Sequence, residues 1–293
     1  MSGKPDMPQQ KRLFFKIMSP KRSLLFVGFW VTTAILFAIG LYYWKGSETT
    51  IEFLTCYVIE WSLSLDNLFV FLMIFNAFGV APHNQIRALE WGILGAVVMR
   101  LGFILIGVTL VKVFEPILYF FGALLLYSAY RMAFGAKGEK DVRQNRLVQL
   151  AGKVLRITKN YHGDKFFFHR HGRVIFTPMI LVLITIESSD IMFAVDSIPA
   201  AFAITKKPFV IFTANMFAIF GLRSLYFLLA HADRMFSKLR YGVTIILAFV
   251  GVKIIVEQLG VHISMYLSLG VILVCILGSI AASLAMKPPR EEN

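Results

Sequence analysis

Charge is scarce in this chain. Asp, Glu, Lys and Arg make up 16% of its 293 residues, against 57% hydrophobic residues and a mean hydropathy of +0.70. Soluble globular chains run nearer a quarter charged, so an ordinary soluble domain is excluded. Intrinsic disorder is excluded by the 28 Phe and the long aliphatic runs. Cysteine is nearly absent: Cys56 and Cys275 both sit in apolar runs, where a free thiol behaves as a small buried hydrophobe, and no disulfide framework or zinc site can be read. No phosphate-binding loop of the Walker type occurs, which removes an ATP-driven pump. Acids are fewer than bases, 17 against 30. In a soluble protein that excess would point to nucleic acid, but here the position of the charges explains it and no nucleic-acid partner is expected.

What is abundant is apolar sequence. A bilayer core about 30 Å thick needs about 20 apolar residues per helix. Runs at 24–44, 51–78, 88–111, 116–134, 174–204, 209–230, 241–259 and 264–286 predict an all-α polytopic membrane protein with about eight spans. Residues 1–23 form a basic tail, 24–286 a single transmembrane domain, and 287–293 a short second tail. The first span, followed by Tyr42, Tyr43 and Trp44 and by no small-residue cleavage site, reads as an uncleaved anchor with an aromatic interface. With the amino terminus inside the cell, 23 of the 30 Lys and Arg fall on the cytoplasmic side and only Lys45, Lys112, Lys206 and Lys207 on the other. That bias orients both termini to the cytoplasm. The hydrophilic stretch 135–173 carries eleven of these bases counted from Arg131, together with His162, His169 and His171. It reads as a solvated cytoplasmic loop against anionic headgroups, and Lys11 to Arg22 as a basic amphipathic segment on the same surface.

Two spans break the rule that hydrocarbon-depth segments avoid charge. IEFLTCYVIEWSLSLDNLFVFLMIFNAF holds Glu60, Asp66 and Asn67, and TPMILVLITIESSDIMFAVDSIPAAFAI holds Glu187, Asp190 and Asp196. An acid at the bilayer centre costs about 2.5–3.5 kcal/mol even on the lenient insertion scale, so these groups should face a protein interior or a watery cavity. At 100° per residue, Glu60, Ser64 and Asn67 share one stripe, and Glu187, Asp190, Ala194 and Ser197 another. Asp66 and Asp196 fall off those stripes in an unbroken helix. Either they meet a second partner or the helix is interrupted, and Pro199 favours interruption in the fifth span. A set of carboxylate, amide and hydroxyl oxygens suits a hard divalent cation, with Mn²⁺ and Ca²⁺ both open. Met73 and Met192 read as packing residues. Arg100 and Arg223, in matching places of spans three and six, read as permanent counter-charges, and Lys253 lies in span seven.

Shifted by 130 positions, Glu60 falls on Asp190, Asp66 on Asp196 and Asn67 on Ser197. MRLGFIL around Arg100 resembles LRSLYFL around Arg223, and Phe121-Gly122 resembles Val250-Gly251. Residues 51–134 and 174–259 thus read as two three-helix repeats. An odd number of spans per repeat inverts the second relative to the first, the plan of many secondary transporters.

EWSLSLDNLFVF (Glu60 to Phe71) and ESSDIMFAVDSIPAAFA (Glu187 to Ala203) resemble the two hallmark stretches of the TerC family, in particular its branch with the alkali-induced manganese exporter. The resemblance runs from span one to span eight. It implies a bacterial inner-membrane protein of the lysine-exporter superfamily, tied to Mn²⁺ efflux and, by name, to tellurium resistance. It also implies that the metal-site acids are Glu60, Asp66, Asp190 and Asp196, with Asn67, Glu187 and Ser197 as neighbours. The expected function is a secondary exporter of a divalent metal, Mn²⁺ before Ca²⁺, in exchange for protons that crowded carboxylates can take up. No cofactor is expected beyond the transported ion, and no nucleophile or oxyanion device lies beside the acids, so an enzyme is not expected. The rival expectation is a membrane-embedded interaction factor for tellurite resistance, or for insertion or metallation of exported proteins, with the acids structural.

Overall fold

The structure, a computed structural model, describes residues 20–134, 146–158, 160–170, 172–229 and 239–285. The basic amino-terminal segment before residue 20, the carboxyl tail and His171 lie outside the described residues.

Helix α1 (Pro20–Phe78) runs for 59 residues. At 1.5 Å per residue a straight helix of that length would be about 90 Å long, far more than one bilayer. It is broken at Gly46, whose φ of 86° and ψ of 178° lie where only glycine goes without steric penalty. Across the break the rings of Phe37 and Phe53 approach to 5.0 Å between centroids, so the two arms fold back on one another. The two arms are the first two expected spans, joined at a glycine corner. The chain continues as α2 (Pro82–Val113), α3 (Ile117–Phe134), α4 (Arg146–Val154), strands β1 (Phe167–Arg170) and β2 (Arg173–Phe176), then α5 (Pro178–Phe202), α6 (Pro208–Leu229), α7 (Leu239–Gln258) and α8 (Met265–Ala285).

Six of these helices are long and apolar enough to cross a membrane. α1 has the length for two crossings, and the apolar part of α6 is the shorter Pro208–Leu222. Their outward faces carry large bare hydrophobics, among them Leu36 at 62%, Val274 at 71% and Leu277 at 64% exposure. Surface of that kind is stable only against lipid tails. Met73 and Met192 belong to this outer layer at 43% and 55% exposure.

The expectation of a plain loop over 135–173 needs correction. β1 and β2 form an antiparallel hairpin, and Ile157 adds a parallel bridge to Phe176. The hairpin segment is tied to the turn between α1 and α2: Tyr161 donates to the Phe78 carbonyl at 2.8 Å, Arg87 pairs with Asp164, and Trp91 meets Phe166 edge-on. At the opposite end of the bundle, Lys206 pairs with Glu115 at 2.7 Å and Lys207 with Glu52 at 2.9 Å. The Lys206 hydrogen bond and charge hold the Glu115 carboxyl below its usual range. The two loop sets that should share a side by chain counting therefore meet in space.

α5 starts where Thr177 caps the helix by accepting from the Met179 amide at 3.3 Å, with Pro178 in the first turn. It then runs unbroken through Pro199 to Phe202. The expected interruption does not occur, because Pro199 sits in the last turn, where few hydrogen bonds remain to be lost.

In the core, α1 packs on α6 and on α5, α2 packs on α5 and on α6, and α3 packs on α7. The α3–α7 crossing is close. A Cβ at Gly122 would come within 3.0 Å of the Gly251 carbonyl oxygen, and a Cβ at Gly251 within 3.0 Å of the Gly122 oxygen. Gly122→Val is expected to force the helices apart and lower stability by about 1–3 kcal/mol, the usual range for overpacking. Gly270→Ala, where a Cβ meets nothing within 4 Å, should be neutral. Thermal unfolding of both variants in detergent measures the difference.

Candidate functional site

The polar stripes foreseen on α1 and α5 face inward. Glu60 and Ser64 are 1% exposed, with Asn67, Asp190 and Ser197 also buried. α2 contributes Arg100, which at 1% exposure is the largest of the fully buried side chains. Its guanidinium joins the two stripes. Nη1 donates to Glu60 Oε2 at 2.9 Å and to Ser197 Oγ at 3.4 Å, while Nε and Nη2 each donate to one oxygen of Asp190 at 3.1 Å. The Asp190 contact is the parallel two-bond fork that a guanidinium offers and an ammonium does not.

Arg100 and Asp190, with Asn67 beside them, also line a cavity of about 40 Å³. It reaches from Arg100 along α2 to Leu89 and along α6 to Tyr226, towards the hairpin end of the bundle. There Tyr226 donates to Gln85 at 2.9 Å. The volume exceeds the roughly 10–15 Å³ that one water requires.

Two other expected ligands, Glu187 and Asp196, lie apart from this cluster. Glu187 is on α5 one turn before Asp190 and rests against α2, where only the missing side chain of Gly95 makes room: a Cβ there would overlap the carboxylate. Asp196 is half-buried and faces α3, where it accepts from Ser128 Oγ at 2.6 Å. This is the second partner anticipated for an unbroken helix. The side chains of Asp66 and Arg223 lie outside the described residues. Lys253 is settled elsewhere, donating to the Ala203 carbonyl at 2.6 Å at the end of α5 and pairing with Glu257 at 3.3 Å. A cation suits a helix carboxyl end, where carbonyls lack amide partners. Among the described residues no group of three or more His, Cys, Asp and Glu is arranged to hold a metal ion. Within the central cluster it is Arg100 that stands between Glu60 and Asp190.

Several buried polar atoms have no partner among the described residues. They include Glu60 Oε1, Ser64 Oγ, Glu187 Oε2 and both amide atoms of Asn215. Asn215 is fully buried on α6. It shares the stripe of Ile219, Leu222 and Tyr226, which line the cavity, and extends it by a turn towards the far side. Sequence reasoning passed it over, although a lone amide in the apolar run FVIFTANMFAIFGL was a readable signal.

Removing the guanidinium leaves two buried carboxyl groups without a counter-charge. Arg100→Met is expected to destabilise the protein by about 3–5 kcal/mol, the usual loss on breaking a buried pair. Arg100→Lys should recover little, since the fork to Asp190 is lost. Arg100→Met combined with Glu60→Gln and Asp190→Asn should regain much of the loss, as read by thermal unfolding.

A model of the Integral membrane protein TerC family matches residues 45–291. Among curated proteins the chain is similar to the Salmonella typhi protein called "Putative membrane-bound redox modulator Alx", 41% identical over 276 residues, covering 91% of this chain and 85% of that protein. The Escherichia coli (strain K12) protein of the same name gives the same figures. A Myxococcus xanthus protein, "Uncharacterized membrane protein STKORF319", is 40% identical over 264 residues, covering 90% of this chain and 82% of that one. No solved structure matches. The match covers both acid-bearing spans and the helices that join them through Arg100, and this chain belongs to the TerC family of integral membrane proteins.

Proposed function

We propose that this protein is a secondary transporter that moves a divalent cation, Mn²⁺ in first place, out of the cytoplasm through the site around Arg100. The observation that carries the reading is a single buried guanidinium shared by carboxylates from two different spans, at the end of a cavity. Acids outnumber the cation there, and every available ligand atom is oxygen, the set hard divalent ions prefer. The excess of positive residues at the hairpin end supports a cytoplasmic position for that end, and the bacterial inner membrane as the location is part of the same proposal.

The chemistry follows from the charge count. A cation arriving along the cavity meets Asn67 and Asp190 first and competes with Arg100 for the Asp190 oxygens. Arg100 acts as a tethered substitute ion that covers the carboxylates when substrate is absent and withdraws when it binds. A site of bare acids at this depth would be costly to empty, and the arginine lowers that penalty. Protons can serve the same end, which makes proton exchange the coupling reaction. The helix pairings support two inverted repeats, because exchanging α1 with α5, α2 with α6 and α3 with α7 returns the same set of main contacts. The reciprocal Gly122–Gly251 contact between α3 and α7 supports the same reading.

Vesicles reconstituted with the purified protein should show Mn²⁺ flux that falls at least about tenfold in Asp190→Asn and in Glu60→Gln, the loss of about 1.4 kcal/mol or more of substrate interaction. Lys206→Gln, at the exposed far end, should leave flux unchanged. Equal flux in all three variants would remove the transport reading and favour a purely structural role for the acids.

A further inference from the structure

The hairpin region carries a second cavity, outside the membrane core and independent of the site above. It measures about 480 Å³ and is lined by Arg156, Ile157, Thr158, Arg170, Arg173 and Ile175. That is the size range of small-molecule sites. Three arginines from two chain segments are among its lining residues. Arg170 and Arg173 are direct cross-strand partners in the hairpin register, and like charges so placed destabilise a ladder. Arg156 is brought alongside because its carbonyl accepts from the Phe176 amide at 2.9 Å, next to the Ile157–Phe176 bridge. None of the three forms an ion pair or side-chain hydrogen bond among the described residues. The nearby Asp164 is already taken by Arg87.

Three unpaired arginines around one opening call for a ligand with several anionic oxygens. We propose that this cavity is a binding site for a phosphate-bearing ligand, held by Arg156, Arg170 and Arg173. Phosphate fits because its tetrahedral oxygens accept forked hydrogen bonds from more than one guanidinium at once. A phosphorylated solute and an anionic phospholipid headgroup both supply that chemistry. The location suits either source, since Tyr161 and Phe166 anchor the hairpin segment to the ends of α1 and α2. Beside it, α4 shows Leu150 and Val154 at 58% and 72% exposure.

The test uses the full-length protein in neutral detergent with inorganic pyrophosphate, and in nanodiscs of phosphatidylcholine with or without phosphatidylglycerol. Amide hydrogen exchange over residues 156–176 gives a local readout. Three proteins are compared: the natural chain, Arg170→Gln/Arg173→Gln, and Lys153→Gln/Lys165→Gln, which removes the same charge from exposed positions not lining the cavity. Protection by pyrophosphate, weakened about tenfold or more in the arginine variant and kept in the lysine variant, supports the site with a soluble ligand. Protection that appears only with phosphatidylglycerol and shows the same dependence supports it with a lipid. Protection that is absent in both media, or lost equally in both variants, overturns it. Arg156→Gln, which leaves the hairpin pair untouched, should weaken the same protection and guards against misfolding of the double variant.

Discussion

A guanidinium buried from bulk solvent must be matched by acceptors, and Arg100 is matched by residues from two other helices. That requirement organises the centre of the protein. It holds the second arm of α1, α2 and α5 at a common depth and points the polar faces of α1 and α5 at each other. Without it, each acid would be a separate liability in a low-dielectric interior. With it, the acids form one charge cluster whose counter-ion is covalently tied to the chain. A cluster of this kind is restrained electrostatically yet can change partners, which a purely apolar core cannot do.

The bilayer supplies the second constraint. Since lipid offers no hydrogen bonds, backbone irregularity is confined to positions that glycine or a helix end can accommodate. Gly46 turns one very long helix into two arms, and Gly122 with Gly251 brings α3 and α7 to backbone contact. Pro199 is admitted only in the final turn of α5, which is why the carboxylates of that helix keep regular spacing and Asp196 is directed away from Asp190 towards Ser128. The separation of Asp196 from the central cluster thus follows from helix regularity rather than from any special feature of the residue.

The parts of the site that were legible in the sequence are those governed by helical period. Glu60, Ser64 and Asn67 on one face, and Asp190, Ala194 and Ser197 on another, follow from 100° per residue. Arg100 was visible as a charge within a span. The residues that escaped notice lack a periodic or charge signature. Asn215 is one amide in an apolar helix, Ser128 is a common small residue, and the arginines of the hairpin look like any basic loop until strand pairing sets Arg170 opposite Arg173.

By itself the sequence determined that this is an integral membrane protein, the rough limits of its apolar helices, and which polar residues lie within them. All of these are sums or periods over neighbouring residues, so no long-range information is needed to read them. Only the tertiary structure decided which charges meet. Arg100 is 40 residues from Glu60, 90 from Asp190 and 97 from Ser197 along the chain, and helical period, which sets Asp196 off the stripe, does not say which of the remaining acids the arginine meets. Packing of helix on helix made that choice, because a buried cation pairs with the acids that the crossing of three helices brings within reach of its side chain.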